Sequence, residues 1–234
     1  MAAPVVASQT VYESSATSTS HSVAKPSGVA AGDLLVLVVC VRTAPTVTLP
    51  DGFTEQVNLP NSGNGERYVL ATKTATGSEP ASYGLTLSVG RNTVIFLLRM
   101  TGADTISPIN ANDETGYTSF TTSPTSPSVT TTEDDTLVFY GVADGTGDTV
   151  WTEDSGFPAG TTLIALRNSD AASNNAQGGL SYKTQASAGS TGTGVWSSAS
   201  TAAITFTFAI KPAASGGAGV SAKAMQSYKT RRAN

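Results

Sequence analysis

Gly32-Asp33-Leu34-Leu35-Val36-Leu37-Val38-Val39-Cys40-Val41 is a turn pair followed by eight apolar residues in succession. Eight residues are too few to span a bilayer as a helix, which takes about 20. The run is dense in β-branched side chains, which favour strand over helix. It does not alternate with polar residues, so it reads as a strand buried on both faces, the middle of a sheet in a packed domain. Thr93-Val94-Ile95-Phe96-Leu97-Leu98 reads the same way.

Outward from that run the chain reads as short strands between turns. Val5 to Tyr12 and Ser20 to Val23 precede it, and Pro26 and Gly28 break the chain before it. Pro45 and Pro50-Asp51-Gly52 mark turns, Phe53 to Val57 a short strand, and Asn61 to Gly65 a polar loop tip. Arg67 to Lys73 alternates, with Tyr68, Leu70 and Thr72 on one side and Arg67, Val69, Ala71 and Lys73 on the other. Tyr83, Leu85 and Leu87 share a face after the Gly77-Ser78-Glu79-Pro80 turn. Thr105 to Pro127 is polar and too long for a structureless connection in a compact domain, so an edge strand is expected around Tyr117 to Phe120. In the last strand Ile204, Phe206, Phe208 and Ile210 point one way. Ala203, Thr205, Thr207 and Ala209 point the other, towards solvent or an interface. With charged residues at only 13%, long surface helices are disfavoured and the chain is expected to be all-β.

The plan occurs twice. Gly32-Asp33-Leu34-Leu35-Val36 corresponds to Asp134-Asp135-Thr136-Leu137-Val138, and Gly52-Phe53 to Gly156-Phe157. Tyr68 to Lys73 corresponds to Leu180-Ser181-Tyr182-Lys183, and Thr93 to Leu98 to Ile204 to Phe208. The separations grow from 102 (Asp33 to Asp135) through 104 (Gly52 to Gly156) to 110 (Lys73 to Lys183, Phe96 to Phe206), as loop insertions would make them. An internal duplication is the economical reading. Its halves, about 20–104 and 120–211, each offer half a core and would close face to face into one β-sandwich over residues 1–211.

Residues 212–234 differ in kind: a Gly/Ala/Ser linker, then a basic arm with Lys223, Tyr228, Lys229, Arg231 and Arg232. Five of the thirteen basic residues, Lys211 included, fall from position 211 onward with no acid among them. That leaves eight against seventeen acids in the first 210 residues, a net of −9 within an overall −4. An acidic body with a basic tail is a layout for attachment, and the tail residues are the expected partner-binding arm. Direct nucleic-acid binding by the body is disfavoured by its charge. The single Cys40 excludes an intrachain disulfide and a cysteine zinc cluster. Met1-Ala2-Ala3-Pro4 opens into polar sequence without a basic segment and apolar core, so synthesis in a cytoplasm is expected, with no membrane association.

Over roughly residues 20 to 210 the chain resembles a group of phage and prophage virion proteins. In that group a Pro-rich lead-in precedes a Gly-Asp-Leu-Leu-Val strand. A Gly-aromatic turn, an aromatic strand ending in Lys, an acidic-Pro turn and a Tyr-led strand follow. Here these are Gly32 to Val36, Gly52-Phe53, Tyr68 to Lys73, Glu79-Pro80 and Tyr83. The resemblance implies a jelly-roll-like β-sandwich on a virion exterior, serving as capsid decoration protein, head fibre or part of a tail fibre. A cement role would make the major capsid protein and neighbouring copies the partners, in a homo-oligomer. A tail-fibre role would make a host glycan the partner.

Chemistry-bearing residues are sparse, and neither an enzyme nor a cofactor is expected. His21 is the only histidine and stands in a Ser/Thr stretch, where it reads as a solvent-facing strand residue. Gly141 to Asp148 lacks the lysine and spacing of a phosphate loop and reads as a hairpin tip. Its acids, with Glu153 and Asp154, offer oxygen ligands of the kind calcium takes, without EF-hand spacing. No pair of carboxylates is singled out for glycoside hydrolysis. Trp151 and Trp196, with Tyr117 and Tyr182, either stack on a sugar or fill the core and hairpin ends.

Overall fold

The computed structural model describes residues 2–60, 65–145, 156–169, 175–198 and 201–214. Among these there is no helix; every regular element is a strand and every pairing is antiparallel. The first eight strands are β1 (Val5–Glu13), β2 (Ser18–Ala24), β3 (Leu34–Val41), β4 (Val47–Thr48), β5 (Thr54–Pro60), β6 (Arg67–Thr74), β7 (Ser82–Arg91) and β8 (Thr93–Thr101). The rest are β9 (Ile109–Gly116), β10 (Thr125–Ser126), β11 (Thr130–Thr131), β12 (Thr136–Asp144), β13 (Thr162–Asn168), β14 (Gln177–Gln185), β15 (Gly189–Ser190), β16 (Gly194–Val195) and β17 (Ile204–Ile210).

Two five-stranded sheets form the centre, ordered β1-β8-β3-β6-β5 and β9-β17-β12-β14-β13. A three-stranded sheet, β2-β7-β4, covers the outer face of the first. The ribbons β10-β16 and β11-β15 lie on the outer side of the second. The pairings nest: β1 with β8, β2 with β7 and β3 with β6, then β9 with β17, β10 with β16, β11 with β15 and β12 with β14.

The opening run is β3, and all eight of its residues are buried. Leu34, Val36, Val38 and Cys40 face the second five-stranded sheet, within one core that also holds Phe139, Leu180, Phe206 and Phe208. Leu35, Leu37, Val39 and Val41 face Val23, Tyr83, Leu85 and Leu87 of the three-stranded sheet. A strand with two apolar faces is thus a strand with a sheet on either side. The central core is pinned by rings: Tyr68 stacks on Phe206 at 3.8 Å, and Phe139 on Phe208 at 4.7 Å. Gly178 lets Phe96, Val94 and Cys40 approach, all within 3.0–3.2 Å of where a Cβ would stand.

Several expectations are corrected. The second face of β17 is neither wet nor interfacial: all seven residues are buried. Thr205 and Thr207 donate to the carbonyls of Thr125 (2.8 Å) and Pro127 (2.6 Å), in the segment that lies over them. The edge strand in the 105–127 region is β9, ahead of Tyr117 to Phe120. It pairs through its backbone with β17, and its side chains are mostly polar, so no apolar pattern announced it. His21 is buried, not solvent-facing; Tyr12 and the carbonyls of Ser18 and Arg91 surround its ring. Of the Gly141 to Asp148 stretch read as a hairpin tip, Gly141 to Asp144 is the end of β12, and 146–148 lie outside the described residues. The chain also stays attached past residue 212, since Pro212 bridges to Ala103 and the Ala213 N–H donates to Gly102 O at 2.8 Å.

Candidate partner interface

Residues that carry the resemblance build a brace at one end of the first sheet. The turn after Pro50 passes through Gly52 at φ 82°, a conformation that favours glycine. It delivers Phe53 edge-on to Tyr83, with ring centroids 5.4 Å apart. Lys73, near the end of β6, reaches Glu79 at 2.7 Å and lies 5.3 Å from the Tyr83 ring centroid. Glu79, its side chain only 2% exposed, also accepts from Tyr83 Oη (2.7 Å), Thr76 N (2.7 Å) and Thr76 Oγ1 (3.0 Å). Burial pulls its carboxyl up. The Lys73 ammonium and the Thr76 and Tyr83 donors outweigh that and hold it down at about 2. The Tyr83 phenol is raised by burial and by the adjoining carboxylate. Glu79 is therefore an anion at neutral pH with its lone pairs engaged internally, a brace rather than an acid–base group.

Asp33 performs a similar service at the start of β3, accepting from Ala30 N (2.8 Å) and Arg99 Nε (2.7 Å). In the second half Lys183 lies 5.4 Å from the Tyr140 ring centroid and donates to Thr191 O at 2.7 Å, a carbonyl in place of a carboxylate.

Beside this brace is a shallow cavity of 330 Å³ whose lining includes Gly52, Thr72, Lys73, Thr105, Ile106 and Pro108. Its far wall is the loop after β8. Asp104 Oδ1 accepts from the N–H groups of Ile106 (2.8 Å) and Ser107 (3.1 Å), which hold its carboxyl below the usual range. Asp104 N donates to Lys211 O at 3.0 Å, and Lys211 N to Pro108 O at 2.8 Å. The loop is thus tied to the last strand, and it presents Ile106 at 94% exposure. The segment after β17 meets the start of this loop again where the Ala213 N–H donates to Gly102 O at 2.8 Å.

The predicted partner-binding arm, Lys223, Tyr228, Lys229, Arg231 and Arg232, lies outside the described residues, as do Trp151 and the acids Asp148, Glu153 and Asp154. Trp196 is fully buried and donates its indole N–H to Ser126 Oγ at 3.0 Å, so it presents no face to a sugar. Tyr182 packs against the central core, and Tyr117 Oη donates to Thr125 O. The packing reading of these aromatics fits Trp196 and Tyr182. Among the described residues no three His, Cys, Asp or Glu side chains group as metal ligands. Sequence reasoning missed the Asp104 to Pro108 loop. Its signal was an aspartate followed by Ser-Pro, the composition of an Asx turn. No family model, curated protein or solved structure matches the chain.

Proposed function

We propose that this chain is a non-enzymatic structural protein of a phage virion, a decoration or cement protein on the head exterior. It stabilises the shell through contacts with the major capsid protein and with neighbouring copies. The observation that carries the reading is that Lys211 to Ala213, which lead into the basic tail in the sequence, are bonded to a braced loop that holds Ile106 in solvent. An exposed apolar residue on a braced loop, close to where the sequence turns basic, suits attachment to a large acidic or mixed protein surface. The residues behind the resemblance support it in a further way: Asp33, Gly52, Phe53, Lys73, Glu79 and Tyr83 all shape turns or braces of the scaffold.

We also read the body as a jelly-roll-like β-sandwich and its two halves as the product of duplication. The nested pairings support the first point. The second is supported by the common succession of strands in the two five-stranded sheets, with β3 and β12 both central. Binding only to the assembled shell would stabilise it by mass action, and many identical sites would make weak contacts collectively strong.

Counting copies per purified particle by quantitative mass spectrometry tests the proposal. Hundreds per head, removed with the head fraction, are expected. A handful of copies fractionating with tails would overturn it and favour a tail-fibre module that grips a host glycan.

A further inference from the structure

We propose that the outer face of the second five-stranded sheet carries a calcium site formed by Asp144, Gln177 and Asn168. These residues end three neighbouring strands. In the ladder Gln177 of β14 stands opposite Asp144 of β12 on one side and Asn168 of β13 on the other. Two positions further into the sheet along each strand is the row Val142–Gly179–Leu166. A Cβ on Gly179 would stand 2.7–2.9 Å from Leu166, Trp196 and Val142 side-chain atoms, so that row faces outward beneath Trp196. Side chains two apart on a strand share a face. Asp144, Gln177 and Asn168 therefore continue the same outward face as a row of oxygen donors, next to the tryptophan.

The second observation is what the two amides lack. Gln177 is 1% exposed, and neither its Oε1 nor its Nε2 has a hydrogen-bond partner. The Oδ1 of Asn168 is likewise buried and unpartnered. A buried amide without partners bears its full desolvation penalty, and native structures keep few of them without a water, ion or ligand to answer them. Asp144, 2% exposed, adds a carboxylate beside them.

The donor set selects the ion. It consists of oxygens alone, which suits a hard cation and not zinc or copper. Two neutral amide oxygens and one carboxylate suit calcium, which accepts six to eight oxygens in loose geometry, better than magnesium, which demands a near-ideal octahedron and keeps its waters. Gln177 Nε2 would donate to a water of the same shell. With one carboxylate the site belongs at the weak end of the range, with Kd about 10⁻⁴–10⁻³ M.

Calcium and, in parallel, magnesium would be titrated into the EDTA-treated full chain by calorimetry and thermal melting. Terbium luminescence excited through tryptophan serves as a second readout. Calcium should raise the Tm with an affinity in that range, and Asp144→Asn should weaken it about tenfold or more, consistent with charge count setting affinity. Gln177→Glu, which adds a carboxylate in place, should tighten it. No heat and no Tm change up to about 10 mM calcium, ten times the weakest Kd expected, would overturn the site and leave the amides to buried water. A calcium response of unchanged size in both variants would overturn it equally. Should Asp144→Asn fail to fold, unchanged affinity in Gln177→Glu alone has the same force.

Discussion

Glu79 accepts from Lys73, Thr76 and Tyr83, and these donors hold its carboxyl down at about 2. Glu79→Gln leaves the Lys73 ammonium, 14% exposed, against two aromatic rings without its counter-ion. The cost should be about 2–4 kcal/mol, read from urea melts at neutral pH. The pH dependence has a definite sign. The folded-state pKa of about 2 lies below the ordinary 4.5, so the stabilisation is complete above the latter and is lost as pH falls through the former. The stability gap between wild type and Glu79→Gln should therefore be flat from about pH 6 to 8 and should close towards about pH 2. Gly141 is a second telling residue. A Cβ there would stand 2.0 Å from two ring atoms of Phe206, and that ring is clamped by Tyr68 at 3.8 Å. With no room to relax, Gly141→Ala should destabilise by about 1–3 kcal/mol or more, measurable in the same melts.

At the scale of elements, the four outer strands of the two central sheets share a device. Each is bulged: β1 at Ala7, β5 at Gln56, β13 at Ile164 and β9 at Asn110. Strand β9 adds Asn112 and Glu114 opposite Phe208 and Phe206, polar groups turned towards the apolar side. Bulges and inward charges blunt an edge against pairing with another chain. One side is further clasped where Gln9 Nε2 donates to the bulge carbonyl of Ile164. Self-association, which remains part of the proposal, therefore falls to faces and loops rather than to strand addition. The outer ribbons act as covers, and Trp196, which follows β16, is their anchor. Trp196→Ala should cost about 3–5 kcal/mol by cavity formation and by stranding Ser126, visible as a lowered Tm. A tryptophan held in reserve for sugar would instead leave the melt unchanged.

For the whole molecule, the body includes Pro212 and Ala213, because Pro212 bridges to Ala103 and the Ala213 N–H donates to Gly102 O. For an arm that serves as an anchor, as proposed, removing residues 215–234 should leave the Tm within about 1–2 °C. Occupancy on particles should fall at least tenfold. Ile106→Glu, at a position 94% exposed, should likewise spare the fold and weaken attachment. Co-sedimentation with stripped heads reads both, and full occupancy of the truncated chain would refute the anchor.

The all-β class was legible in the residues, and so was the central position of β3. An apolar run with no polar face can lie only between two covered surfaces, and turn residues at short intervals leave no length for helices. The alternation of Arg67 to Lys73 likewise fixed which side chains share a face, because period two is a property of the extended backbone itself. What tertiary structure alone decided is which surfaces meet. The threonines of β17 look solvent-facing, yet they are buried because the carbonyls of Thr125 and Pro127 lie within hydrogen-bond reach. Strand β9 has no apolar signature because its place is set by backbone pairing to β17 and not by its side chains. Asp144, Gln177 and Asn168, far apart along the chain, become neighbours only through strand register. Periodicity is local and can be read along one strand; partnership depends on contacts between distant segments, which no single stretch encodes.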